Sequence, residues 1–319
     1  MSEQTKISWC DSTLNFWEGC TKVSAGCAHC YAEARDKRFT GGLHWGKGKD
    51  RRKSKSAVKD ALAFNRKPWI CDECGETARP DLNGHPTNPW CEVCGAETPW
   101  HLRRIFSLSL GDWLDDEVLI ECLAEMLDTI RQCDQVTWIL CTKRPENWYS
   151  RLLSVCARMA ALGDLPQQET FFLWVDDWLK GTPPANIILL TSVENQEQAE
   201  IRIPQLLKIP AACRGLSLEP LLGPVDVSHW CIEGGGGGLD WLIIGGESGT
   251  DARPCNVDWI RSLVQQGKAA GVATFVKQLG ADPTYGNDTP IPENLRDKKG
   301  GDPTEWPADL RVQEWPILT

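Results

Sequence analysis

The chain has 319 residues, a formal net charge of −10, 24% charged and 41% hydrophobic residues. That balance belongs to a globular protein and excludes a disordered one. No apolar run approaches the roughly 18–20 residues that span a bilayer, and the first ten residues lack the basic start and apolar stretch of a secretory signal. The 15 cysteines therefore point to metal binding in a reducing cytoplasm rather than to disulfides.

In chain order, residues 13–17 read as a strand. A loop carrying Cys20, Cys27 and Cys30 follows, then a helical start at Tyr31. Spacing alone leaves three readings for these cysteines. Iron–sulfur clusters usually take four thiolates, so three would leave one iron open for a substrate or cofactor. Alternatively, His29 or Cys10 completes a zinc site, or the thiols are unliganded. Residues 35–67 hold twelve Lys/Arg against three Asp, a local balance of +9, so the remainder carries −19. Their densest stretch, 47–59, is either a solvated loop or a phosphate-binding arm.

Two Cys-x2-Cys pairs come next, Cys71 with Cys74 and Cys91 with Cys94, each followed by glycine (Gly75, Gly95). Two intervening residues let both thiolates face one ion, and the glycine lets the backbone turn beneath it. A closed, structural, four-cysteine zinc ribbon is expected over 69–99, complete without His85 or His101. Trp69, Trp90 and Trp100 lie beside it, and cations next to aromatics suit nucleic acid. Residues 40–100 thus read as an insertion made of a basic arm and a zinc ribbon.

From 104 onward the fold class is legible as α/β. Apolar runs at 105–110, 136–141, 186–191, 215–218, 241–245 and 274–276 alternate with amphipathic stretches such as 116–133 and 257–270. Such alternation indicates a parallel sheet with outer helices, hence a partial or complete (β/α) barrel. The barrel is assigned 1–39 and 101–281. The tail, 282–319, either closes its bottom or covers a substrate. The glycines at 234–238 read as a connector, with no helix placed to make them a phosphate loop. The eight scattered cysteines read as packing residues.

Every strand ends in charged or hydrogen-bonding residues: Asp112; Lys143 and Arg144; Ser192 and Glu194; Glu219; Glu247, Ser248 and then Arg253; Lys277 and Gln278. The C-terminal strand ends form the active-site face of such barrels. None of the five histidines falls there, which argues against a His-ligated metallohydrolase.

Segments 19–33, 106–113, 140–147, 191–196, 216–224, 240–254 and 275–280 together resemble the radical S-adenosylmethionine (SAM) superfamily. More closely, they resemble a phage-associated family of radical-SAM-like proteins with a widened motif. Here it reads Cys-x6-Cys-x2-Cys in place of Cys-x3-Cys-x2-Cys, with His29 before the last cysteine. The resemblance implies a [4Fe–4S] cluster on Cys20, Cys27 and Cys30, with SAM on its open iron and hydrogen abstraction as the chemistry. Cofactor-binding roles then fall to Ser192 and Glu194 (ribose), Asp112 and Glu247 (ammonium) and Ser248. Lys143 or Arg144 would pair with the SAM carboxylate. Lys143, Arg144, Glu219 and Lys277 form the catalytic set, with Arg253 and Gln278 toward the substrate. A nucleic acid is the expected partner, DNA ahead of RNA, held by 47–59 and the ribbon. One concrete version is isomerisation of an amino-acid-modified thymidine. An electron donor such as a flavodoxin, no membrane, and a cytoplasmic setting (the host's, if phage-encoded) complete the expectation. Two other readings compete: a zinc-dependent nucleic-acid-binding protein without catalysis, and a radical SAM enzyme acting on a protein or small metabolite.

Overall fold

Strands apolar on both faces are stable only where both faces are covered, and the chain meets that demand with one curled sheet. The computed structural model describes residues 5–161, 166–232, 237–286, 289–290 and 295–318. Positions 234–236 of the glycine connector and parts of the predicted tail lie outside them. Seven parallel strands run β1 (Ser12–Leu14), β2 (Arg104–Ser107), β3 (Thr137–Thr142), β4 (Ile187–Ser192), β5 (Cys213–Leu218), β6 (Trp241–Gly245) and β7 (Ala273–Gln278). Their order in the sheet is their order in the chain. The result is a mixed α/β fold with a half-barrel sheet.

Helix α1 (Tyr31–Thr40) follows the cysteine loop, and α2 (Ala57–Arg66), α3 (Ile120–Gln132), α4 (Trp148–Ala160), α5 (Pro166–Leu179), α6 (Gln196–Leu206) and α7 (Val257–Ala270) cover the convex side. Alternate strand residues such as Leu140, Leu189, Leu216 and Leu242 join Leu123, Leu127, Ile203 and Ile260 of the helices in the larger core. The other alternates face the concave side, as the two-residue period of a strand requires. There Ile139, Ile188, Leu190, Trp241, Ile243 and Phe275 form a second core. Gly215 lies among these strands because a Cβ there would stand 2.5 Å from the Trp241 carbonyl and 2.8 Å from Leu190.

Along each strand these inward positions turn from apolar to polar. Ile139 and Cys141 lead to Lys143, Leu190 to Ser192 and Glu194, Ile243 to Gly245 and Glu247, and Phe275 to Lys277. The concave side therefore has an apolar floor and a polar mouth at the C-terminal strand ends.

The end of the chain completes the floor. The amide of Val276 donates to the Val312 carbonyl and that of Glu314 to Thr274, so residues 312–314 line the β7 edge. Trp315 then bridges to the N-terminal segment, its indole donating to the Trp9 carbonyl at 3.2 Å, with Arg104 over its ring at 4.4 Å. Of the two roles expected for the tail, this part takes the closing one.

Three expectations need correction. The strand predicted at 105–110 stops at Ser107, because Leu108 takes a positive φ of 65° that turns the chain out of the sheet. Residues 40–100, read as an insertion of basic arm and ribbon, also hold α2, whose Ala57, Ala61 and Phe64 pack into the larger core as part of the β1-to-β2 crossover. The 47–59 stretch is no free arm either. The Arg51 side chain is 3% exposed and pairs with Asp115 at 2.9 Å and Glu117 at 3.0 Å. Arg52 pairs with Glu18 and Lys53 with Glu125.

Candidate functional site

The mouth is built by carboxylates and cations that the sequence places just beyond each strand. Asp112 is 5% exposed. One of its oxygens accepts from the Thr142 hydroxyl at 2.6 Å and the Leu114 amide at 3.0 Å. The other accepts from the Lys143 amide and the Arg144 guanidinium, both at 2.9 Å. Thus held, Arg144 donates to the Thr21 carbonyl at 2.7 Å and lies 3.6 Å from the Cys20 sulfur. Burial works against the Arg144 charge, but Asp112, Cys20 and Asp115 reverse that and raise its pKa.

The same logic repeats along the sheet. Glu194, fully buried, pairs with Arg202 of α6 at 2.8 Å and accepts from the Gly26 amide at 3.2 Å. Burial pushes its carboxyl up, yet Ser24, Arg202 and Lys143 bring it below its usual value. Glycine at position 26 suits this close approach, since a Cβ would stand 3.0 Å from that carboxylate and push it aside. Glu247 receives the Arg253 amide and guanidinium, and His29 Nδ1 at 3.1 Å. Burial again opposes ionisation, and Arg253 and His29 outweigh it, holding Glu247 at about 2. Arg253 also donates to the Ala25 carbonyl at 2.9 Å.

These contacts give the predicted ring a role that spacing could not show. Arg144, Glu194, Glu247 and Arg253 all grip the loop that carries Cys20, Cys27 and Cys30. The oxygens of Asp112, assigned above to the SAM ammonium, are spent on Thr142, Leu114, Lys143 and Arg144. Glu194, assigned to ribose, is spent on Arg202 and the loop. Gln278, placed toward the substrate, is 7% exposed and donates to the Gly246 carbonyl.

Other predicted residues stay at the mouth. Ser192 lies 3.4 Å from the Cys141 sulfur. Lys277 pairs with Glu219 at 2.6 Å. Ser248 is half-buried. Lys143 is half-buried, and no group among the described residues hydrogen-bonds its ammonium. Burial lowers its pKa, but Cys27, Cys141 and Glu194 outweigh that and raise it.

Cys20, Cys27 and Cys30 are free thiols of intermediate exposure. Cys30 lies near Cys27 and Lys143 and Cys20 beside Arg144, so the loop brings its thiols to the consecutive cations just beyond β3. Among the described residues only the other group, Cys71, Cys74, Cys91 and Cys94, has its sulfurs all within 4.8 Å of one another. Sequence reasoning missed Arg202 and Tyr31, whose hydroxyl donates to the Ser109 carbonyl. Arg202 gives no local signal, being one arginine on an ordinary amphipathic helix.

The second cysteine group sits at the other end of the sheet. Its strand Trp100–Leu102 leads directly into the start of β2. His101 bridges Asp72 at 2.6 Å and Asp11 at 3.1 Å, just before β1. Cys71, Cys74, Cys91 and Cys94 have sulfurs all within 4.8 Å of one another, and the group could hold a metal ion such as zinc. The separations of 3.7 Å (Cys71 to Cys94) and 3.6 Å (Cys74 to Cys91) are near the ~3.8 Å edge of a tetrahedron with metal–sulfur bonds of about 2.3 Å. Each half is folded alike. The Gly75 amide donates to Cys71 and the Gly95 amide to Cys91, with φ of 74° and 75°.

A family described as "Protein of unknown function (DUF5131)" matches residues 4–301. The chain belongs to this family. The DUF5131 match takes in both cysteine groups and all seven strands, and ends short of the 312–318 segment that completes the floor. No curated protein and no solved structure matches the chain. No helix among the described residues is long and apolar enough to cross a membrane.

Proposed function

We propose that the chain is a radical SAM enzyme with its cluster on Cys20, Cys27 and Cys30, acting on a nucleic acid. The observation that carries this reading is one loop with three free thiols, tethered by strand-end residues to the polar mouth of a half-barrel. The donor set fits a cluster with one iron left to a cofactor. The three thiols are partly exposed, and the cations beside them, Arg144 at Cys20 and Lys143 near Cys27, would offset the negative charge that thiolates and sulfides bring. When bound, cluster and SAM together supply an electron and a radical that removes hydrogen from the substrate.

The protein's own residues bind, orient and exclude water. Arg144 fixes the loop next to Cys20. Lys143, whose ammonium has no hydrogen bond among the described residues, is the group we assign to receive a carboxylate. Ser192, Ser248 and the Glu219–Lys277 pair offer hydrogen bonds around the mouth. The apolar floor shuts the cavity from below and keeps water from the reacting atoms. The four-cysteine unit we read as a structural zinc ribbon, because four thiols close its coordination. The basic crossover motivates a nucleic-acid substrate. DNA, and a modified thymidine within it, come from the resemblance alone.

The test is anaerobic reconstitution with iron and sulfide, followed by dithionite and SAM with and without oligonucleotide. The reading expects about four irons and one zinc per chain and release of 5′-deoxyadenosine, lost in Cys27→Ala with zinc retained. Zinc without iron, in both cysteine groups, would instead support a non-catalytic binding protein. An intact cluster that releases no 5′-deoxyadenosine in either condition would refute the catalytic reading.

A further inference from the structure

Resting on the nucleic-acid reading above, we infer that the strand is held by the outer face of α1 and the 41–49 loop, and not by the zinc ribbon or by 51–53. The expectation from sequence placed it on 47–59 and the ribbon. Two observations move it. The ribbon stands at the N-terminal end of the strands, with the length of the sheet between it and the mouth. Within the basic stretch, Arg51, Arg52 and Lys53 are neutralised by acidic partners.

What remains exposed at the mouth is chemically specific. On α1, Tyr31, Arg35, Arg38 and Phe39 form one stripe, at the i, i+4, i+7 and i+8 positions that share a helix face. Ala32 and Asp36 are buried on the adjoining face. Tyr31 is 59% exposed and Phe39 68%. Phe39 is the one exposed phenylalanine among the described residues. The guanidiniums of Arg35 and Arg38 lie 5.5 and 5.4 Å from its ring centre; Arg35 also pairs with Glu18 at 3.0 Å, so Arg38 is the stripe's cation with no ion pair among the described residues.

The loop beyond α1 returns to the mouth, the Gly46 amide donating to the Cys20 carbonyl at 2.9 Å. It exposes Lys47 and Lys49, neither with an ion pair among the described residues. Aromatic faces interleaved with unpaired cations are what an unpaired strand requires, bases stacking on rings while the backbone follows the charge. An acidic protein surface would use the cations but not the rings. The stripe starts next to Cys30 and runs about 12 Å, at 1.5 Å per residue. That spans roughly three phosphates at ~3.4 Å per nucleotide of one strand. A strand lying along it delivers a base to the mouth over Tyr31.

The experiment is fluorescence anisotropy of the full chain with a labelled single-stranded oligonucleotide of about twelve nucleotides, titrated from about 50 to 200 mM salt. Phe39→Ala is expected to weaken binding about 5- to 150-fold, the range of one lost base stack. The double variant K47A/K49A should reduce the slope of log affinity against log salt by about 1.4, at ~0.7 per phosphate contact. Trp90→Ala on the ribbon should change neither. These side chains are exposed, and unchanged melting curves and zinc content confirm intact folds. If the oligonucleotide binds but both α1-side variants match the parent, the strand runs elsewhere and only this inference falls. Equal affinity for polyglutamate, indifferent to Phe39→Ala, would make the surface an acidic-protein dock and overturn it. No binding of any oligonucleotide at about 50 mM salt removes the nucleic-acid reading and this surface together.

Discussion

Asp112→Ala tests the claim that the strand-end carboxylates hold the cysteine loop rather than a cofactor. The substitution removes an acceptor of four hydrogen bonds, to Thr142, Leu114, Lys143 and Arg144. Arg144, 5% exposed, keeps the Thr21 carbonyl, the Cys20 sulfur at 3.6 Å and a 4.0 Å approach to Asp115. Leaving one partner of a buried pair uncompensated costs about 3–5 kcal/mol. At ~2.1 cal/mol/K of unfolding entropy per residue, 319 residues give about 0.7 kcal/mol/K, so Tm should fall by roughly 4–8 °C. Calorimetry of the parent, Asp112→Ala, Arg144→Met and the double variant measures it. Removing both charges should cost less than the two single losses added together, by at least about 1.5 kcal/mol. Additive losses, or a Tm change below about 1 °C in Asp112→Ala, would show that the pair does not hold the loop.

Three further outcomes follow from the geometry. Glu247 has its pKa lowered from 4.5 to about 2, so its contribution is complete above about pH 4.5 and is lost as pH falls toward 2. Urea midpoints measured across that window should decline less steeply for Glu247→Gln than for the parent, and parallel declines would contradict the assignment. Gly215→Ala brings a methyl group to 2.5 Å from the Trp241 carbonyl; a loss of about 1–3 kcal/mol in denaturant melts is expected, and a neutral result would mean that β5 and β6 separate freely. Stripping metal from the four-cysteine unit with a thiol-reactive reagent should release one ion per chain and lower Tm, and Cys74→Ser should do the same, while ion release that leaves the melting curve unchanged would deny the unit a structural role.

The sheet was legible where apolar runs are long and uninterrupted. Strands β3 to β7 were each placed within a residue or two, and helix α7 from end to end, because burial on both faces leaves no polar residue to blur the run. The strand ends were legible as a charged ring, but their partners were not. Glu194 meets Arg202 from the following helix and Gly26 from the N-terminal loop, contacts that no local pattern encodes. The basic stretch misled for the same reason. Arg51 looks like its exposed neighbours in sequence, and only the fold brings Asp115 and Glu117 to it. The floor was left open between two roles because Trp9 and Trp315 stand at opposite ends of the chain. The four-cysteine unit was fully legible, since the spacing of its ligands is itself the geometry.

The length of the first crossover bears on where this architecture can accept new parts. About 90 residues separate Leu14 from Arg104, against about 30 between Ser107 and Thr137. Loop-closure entropy grows only with the logarithm of length, so tripling the connection costs about 1 kcal/mol. Linking Cys71 to Cys94 through one ion shortens the effective path by about a quarter, which recovers only ~0.3 kcal/mol. The insertion is thermodynamically cheap with or without its metal. The first crossover is therefore the place where a chain of this topology can gain, exchange or discard the four-cysteine unit, which stands at the far end of the strands from the mouth.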